Sequence, residues 1–203
     1  MLEILIKGGW LMIPLGICSI LALAIIIERF ISLGMIERRA DRFIEAMRAI
    51  LESEDDRKLD KITALCEMTP SPLARILQAG IKRKDRSKEE IKEAIEDAGH
   101  LEVPSLEKNL RILGTVVTIS PLLGLLGTVM GMIKAFNVIA AQGVGQPGAL
   151  AGGIAEALIT TAVGLSIAIP GLIFYNYFTH RTDRLVRKLE NASSEFLESL
   201  MRR

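Results

Sequence analysis

Cysteine and histidine are almost missing from this chain of 203 residues: Cys18, Cys66, His100 and His180 are the whole supply. There is no CxxC and no cysteine–histidine pair, so neither a disulfide framework nor a metal site is suggested, and the cysteines read as packing residues. The histidines stand isolated and read as surface or interface side chains rather than ligands. GxSxG, Walker-type and HExxH motifs are lacking too. An enzyme would have to place its chemistry on scattered carboxylates, which are better explained as the solvated faces of charged helices. No enzyme, metal or cofactor is therefore expected. With 25 basic and 24 acidic residues the net charge is +1, which argues against a nucleic-acid partner.

Charge itself is missing from three long stretches: Gly8 to Ile27 (20 residues), Ile112 to Ile133 (22) and Ala157 to Thr179 (23). At 1.5 Å per residue each can cross a hydrocarbon core roughly 30 Å thick. The first stretch follows Lys7 near the amino terminus but is too long for a signal h-region and has no small-x-small cleavage site. In "PLGIC" the bulky Ile17 and the continuing apolar run argue against a lipoprotein acylation site. The expected fold is an all-α membrane protein with three transmembrane helices extended by long cytoplasmic helices.

Sixteen Lys or Arg residues lie between Gly34 and Arg111, six follow His180, and none lies between Ala140 and Ala155. The positive-inside rule puts the amino terminus outside, in the periplasm of a bacterium, and the carboxyl terminus in the cytoplasm. The segments are then 1–33 (amino terminus and first span), 34–110 (cytoplasmic, helical), 111–139 (second span), 140–149 (short outer loop), 150–179 (third span) and 180–203 (cytoplasmic amphipathic helix). Ser71 before Pro72, and Ser87 three residues before Glu90, have helix-start spacing. Ile91, Ile95, Ala98, Leu101, Leu106, Leu110 and Leu113 keep one apolar face, which predicts an unbroken helix from Ser87 to Ile139, roughly 80 Å long, kinked at most at Pro104 and Pro121. Leu185, Leu189, Ala192, Phe196 and Leu200 repeat the pattern in the tail.

Within the spans, Gly127 and Gly131 form a GxxxG, and Gly164 with Ala168 a second small-residue face, which lets helix backbones approach closely. Such faces have too few partners inside one three-helix subunit, so a homo-oligomer is expected. Glu156, in "GGIAEALITTAVGLS", opens the third span about 9 Å below the outer boundary, with Thr161 about 8 Å deeper, near the midplane, and Thr128 on the second span within a turn or two of Glu156 in depth. An ionised carboxylate there costs roughly 2.5–3.5 kcal/mol, and protonation or hydration relieves that cost, so a carboxyl within reach of water can carry protons reversibly. The competing reading is an ion pair with Lys134, whose stem can snorkel outward. Glu28 and Arg29 mark the inner end of the first span, as an anchor or an intersubunit pair.

"SPLLGLLGTVMGMIKAF", followed after a short uncharged loop by "GGIAEALITTAVGLSIAIPGLIFYNYF", resembles the MotA/TolQ/ExbB proton-channel family, and "GGWLMIPLGICSILALAIIIERF" is similar to its first helix. The resemblance implies a pentamer whose second and third helices line a pore holding two single-span helices of the ExbD/TolR type. It also implies a TonB/TolA-type protein as a further partner and residence in the bacterial inner membrane. Glu156 matches the family's glutamate, and Thr128 and Thr161 its pore-lining threonines; Lys134 departs from the usual uncharged or weakly basic position. Three spans favour the ExbB/TolQ branch over the four-span MotA proteins. The function implied is a proton-driven motor subunit that energises envelope or outer-membrane processes such as TonB-dependent import. Sodium stays open beside protons, which a single carboxylate with threonines favours. The alternative is a transmembrane scaffold with a structural buried glutamate. Alternating-access transport is poorly supported, because no inverted repeat is visible.

Overall fold

A charge-free apolar run can satisfy all its backbone groups within one segment only as a helix. The computed structural model describes residues 8–53, 57–142 and 147–201. Among these residues it holds six helices and no strand: α1 Met12–Glu52, α2 Lys58–Met68, α3 Pro72–Ile81, α4 Lys88–Leu106, α5 Leu110–Gln142 and α6 Pro147–Met201. Three of them, α1, α5 and α6, are long and apolar enough to cross a membrane. The centre of the loop expected at 140–149, residues 143–146, lies outside the described residues, as do positions 1–7. The chain forms two compact units, one running up to Glu28 and including Asn109–Phe178, the other made of Arg29–Lys108 and the residues from Thr179 onward.

In the first unit α5 and α6 pack through a row of small residues. Ser120, Gly124, Gly127 and Gly131 on α5 meet Gly164, Thr160, Ala157 and Gly153 on α6 in reverse order, so the two helices run antiparallel. A methyl group built on Gly131 would lie 2.6 Å from the Gly153 carbonyl oxygen, and one on Gly124 would lie 3.0 Å from that of Thr160. The backbones are close enough that only glycine fits, as membrane helices require when no hydrophobic drive joins them. This corrects one expectation. The small-residue faces find each other inside a single chain, so they do not by themselves call for a second copy. The outward faces remain apolar, with Ile13, Ile20 and Leu23 of α1, Leu122, Leu125 and Phe136 of α5, and Ile169 and Ile173 of α6 all exposed. An exposed apolar surface of this extent suits lipid or a partner helix.

The second unit has an ordinary core. Ser71 caps α3 by accepting from the Ala74 N–H (3.1 Å), and Ser87 caps α4 by accepting from the Glu90 N–H (3.3 Å). Leu73, Ile76 and Leu77 of α3 are buried, as are Ile91 and Ile95 of α4, and Gly80 leaves room for Ile95. Leu33, Phe43 and Met47 of α1 and Leu185, Leu189, Ala192 and Phe196 of α6 are buried as well. Ion pairs join Glu37 to Arg181 (2.6 Å), Asp41 to Lys188, and Arg48 to Glu195 (3.0 Å). Their order shows that these parts of α1 and α6 run parallel. Pairs open to water add little energy each, and the Glu37–Arg181 pair is part-buried, but a ladder of three sets the register.

The unbroken helix expected from Ser87 to Ile139 is not formed. α4 ends at Leu106 and α5 begins at Leu110, with Asn109 at φ 64°, a left-handed conformation that asparagine tolerates better than most residues. Pro104, in the last turn of α4, has no N–H to donate to the carbonyl four residues back. Arg29, only 2% exposed, donates to the Leu106 carbonyl oxygen (3.1 Å) and so satisfies an end group of α4. Asn109 donates from its side chain to Glu28 (3.3 Å). Glu28 and Arg29 thus bond to the two flanks of the break within their own chain. Leu101, expected on the apolar face, is 79% exposed, whereas Leu106, Leu110 and Leu113 are buried. Pro121 and Pro170 sit inside α5 and α6 without ending them.

Candidate functional site: a carboxylate between two spans

Glu156 is placed by the same close packing. Gly153 and Thr160, three residues before it and four after, form with the adjacent Ala157 the α6 face that meets α5, and this holds Glu156 beside α5. Lys134, one turn beyond Gly131 on α5, reaches it: Lys134 Nζ lies 2.5 Å from Glu156 Oε1. The carboxylate side chain is 17% exposed and that of the lysine 49%, so the anion is the sheltered member. The other wall is Gly9, just before α1, at φ +70°, where a methyl group would collide with Glu156 Oε1. Gly9 is therefore required twice over, by its backbone conformation and by the carboxylate lying against it. Its carbonyl accepts from the Met12 N–H (3.2 Å), which starts α1.

The threonines separate. Thr161 Oγ1 donates to the Gly124 carbonyl oxygen across the α5–α6 contact (3.0 Å). Thr128 Oγ1 donates to the Leu125 carbonyl of its own helix (2.6 Å), and among the described residues no bond joins it to Glu156 or Thr161. The three expected site residues are therefore not linked in one hydrogen-bonded chain. Sequence reasoning missed Thr160. Fully buried one turn from Glu156, its hydroxyl donates to the Ala157 (2.9 Å) and Glu156 (3.1 Å) carbonyls, while its side chain fills the space left by Gly127. A signal was present, because Thr160 falls on the small-residue row 153, 157, 160, 164. For Gly9 the only signal was a glycine pair before an apolar run.

What this arrangement can do chemically is hold one negative charge in a largely apolar span, neutralised by one ammonium group on a flexible stem. Among the described residues no group of three or more His, Cys, Asp or Glu side chains is placed to hold a metal. Cys66, in the second unit, is buried, and desolvation together with the neighbouring Glu67 pushes its thiol up to about 11, which leaves little of the reactive thiolate near neutrality. Arg75, paired with Glu102 at 2.5 Å, has its pKa raised by that hydrogen bond.

Comparison with known proteins shows the family of the chain. The MotA/TolQ/ExbB proton channel family matches residues 68–191, a range that takes in the glycine row, Lys134 and Glu156. The chain is 31% identical over 206 residues to the Tol-Pal system protein TolQ of Pseudomonas aeruginosa, a match covering 95% of this chain and 87% of that one. It is 32% identical to the biopolymer transport protein exbB1 of Vibrio cholerae (88% and 78% covered). It is 33% identical to the ExbB-like 3 protein of Synechocystis sp. (84% and 81% covered). With the family pattern spanning more than half its length and such relatives matched along most of theirs, this multi-pass membrane chain belongs to the MotA/TolQ/ExbB proton channel family.

Proposed function

We propose that this chain is the multi-copy subunit of a proton-driven motor in a bacterial inner membrane, and that Glu156 is its proton-carrying group. The observation that carries the reading is a sheltered carboxylate at the head of a 23-residue charge-free span, in a chain of a proton channel family. Thr128 and Thr161 line the route as polar groups that water can bridge. Five copies surround single-span partners of the ExbD/TolR type, with a TonB/TolA-type protein receiving the motion. The work done is an envelope or outer-membrane process such as TonB-dependent import, a reading supported by relatives named as a biopolymer transport protein and a Tol-Pal system protein. The 16 basic residues between Gly34 and Arg111 support a cytoplasmic second unit and a periplasmic amino terminus. Each proton crossing the membrane contributes about 2.3 kcal/mol per 100 mV, enough to bias small steps of a partner helix.

One observation favours a second reading. The Lys134–Glu156 pair fits a scaffold in which the carboxylate only sets the register of α5 against α6. Glu156→Gln separates the two, because glutamine keeps the size and hydrogen bonding of a neutral carboxyl but cannot release a proton. The motor reading expects proton uptake into vesicles to fall to background with the oligomer intact, and Thr128→Ala and Thr161→Ala to weaken it less. Normal flux through a well-assembled Glu156→Gln complex overturns the proton-carrier role.

A further inference from the structure

We propose that Lys134 is a removable counter-ion that latches Glu156 in its ionised, proton-free state. The proposal rests on Glu156 being the proton carrier and adds the element that decides when it can load.

The geometry is asymmetric. Glu156 lies against Gly9, and its side chain is only 17% exposed. Lys134 is half exposed and carries its ammonium on a four-carbon stem, so it is the member that can leave. No other charged residue occurs in 8–27, 112–133, 147–155 or 157–179, so nothing in these runs can take over either charge. Protonating Glu156 while the ammonium stays in place would strand an uncompensated cation in the span, which is disfavoured for the same reason as a lone carboxylate. Proton loading and lysine release are thereby coupled. When Lys134 swings outward, water delivers a proton to a carboxylate oxygen. When the proton leaves to water on the other side, the carboxylate draws the ammonium back.

The test is proton uptake by full-length protein in vesicles under an imposed potential, with oligomer yield measured in parallel. K134Q removes the latch without adding charge, and its uptake is expected to rise by about tenfold, a barrier change of about 1.4 kcal/mol. The double variant K134Q/E156Q is expected at background, because the gain passes through Glu156. K134R should conduct below wild type, since a guanidinium grips a carboxylate through two parallel bonds. Unchanged or lower uptake by an assembled K134Q overturns the latch. If K134Q fails to assemble, K134R decides, and uptake at or above wild type overturns it. E156Q conducting normally overturns the proton reading itself, whereas a silent E156Q beside an unchanged K134Q removes only the latch.

Discussion

Glycine at position 127 is held by one neighbour. A methyl group there would run into the Thr160 side chain, which is fully buried and, being β-branched, has few rotamers to escape into. Gly127→Ala is expected to destabilise the α5–α6 contact by about 1–3 kcal/mol, the usual cost of overpacking. Gly16→Ala is the control, because a methyl group on Gly16 meets nothing within 4 Å. Thermal unfolding in detergent should show a lower Tm for the first variant and none of that loss for the second; equal midpoints would remove the proposed fit between Gly127 and Thr160. The same close approach aligns Glu156 with Lys134, so a packing residue and a charged residue share one cause.

Among the elements, the junction between α4 and α5 is the informative one. Helical apolar spacing runs through it, since Leu106, Leu110 and Leu113 are all buried, and the spacing alone therefore reads as one helix. The chain breaks there because end groups find partners, with Arg29 on the Leu106 carbonyl and Glu28 on the Asn109 amide, while Asn109 takes a positive φ. Asn109→Ala is expected to cost about 1–2 kcal/mol, the penalty of a left-handed conformation for a residue with a Cβ. Asn109→Gly should recover most of the backbone term while losing the bond to Glu28. Chemical denaturation of the purified chain checks the order wild type, then glycine, then alanine; an alanine variant as stable as wild type would mean that the backbone there relaxes freely.

At the scale of the whole molecule, the spans differ from the second unit in what they leave outside. Most of each apolar window is unburied within one chain, only 22% being buried in α1, 33% in α5 and 28% in α6. That surface needs lipid or further helices. The proposed multi-copy motor expects further helices there, so native mass spectrometry under mild detergent should return a homo-oligomer, and monomer alone would remove the pore arrangement. Orientation is checked with single cysteines in a background lacking Cys18 and Cys66. Gln142→Cys should be labelled from the outer side of intact cells and Glu52→Cys protected, and outer labelling of Glu52→Cys would reverse the topology.

Read alone, the amino-acid sequence was enough to pick out three stretches apolar enough to cross a membrane, the polar segments between them and Glu156 at the head of the last, because hydropathy and charge are summed along the chain and need no knowledge of neighbours. It also carried the helix starts at Ser71 and Ser87, whose partners are three residues away. Only the tertiary structure decided that the glycine faces of α5 and α6 are used up inside one chain, that Thr160 rather than Thr128 lies buried beside Glu156, and that Lys134, 22 residues distant, closes on the carboxylate against Gly9. These outcomes depend on how far each helix is rotated and slid against the next. Spacing along one helix shows which residues share a face, but the face it meets is chosen by packing between helices.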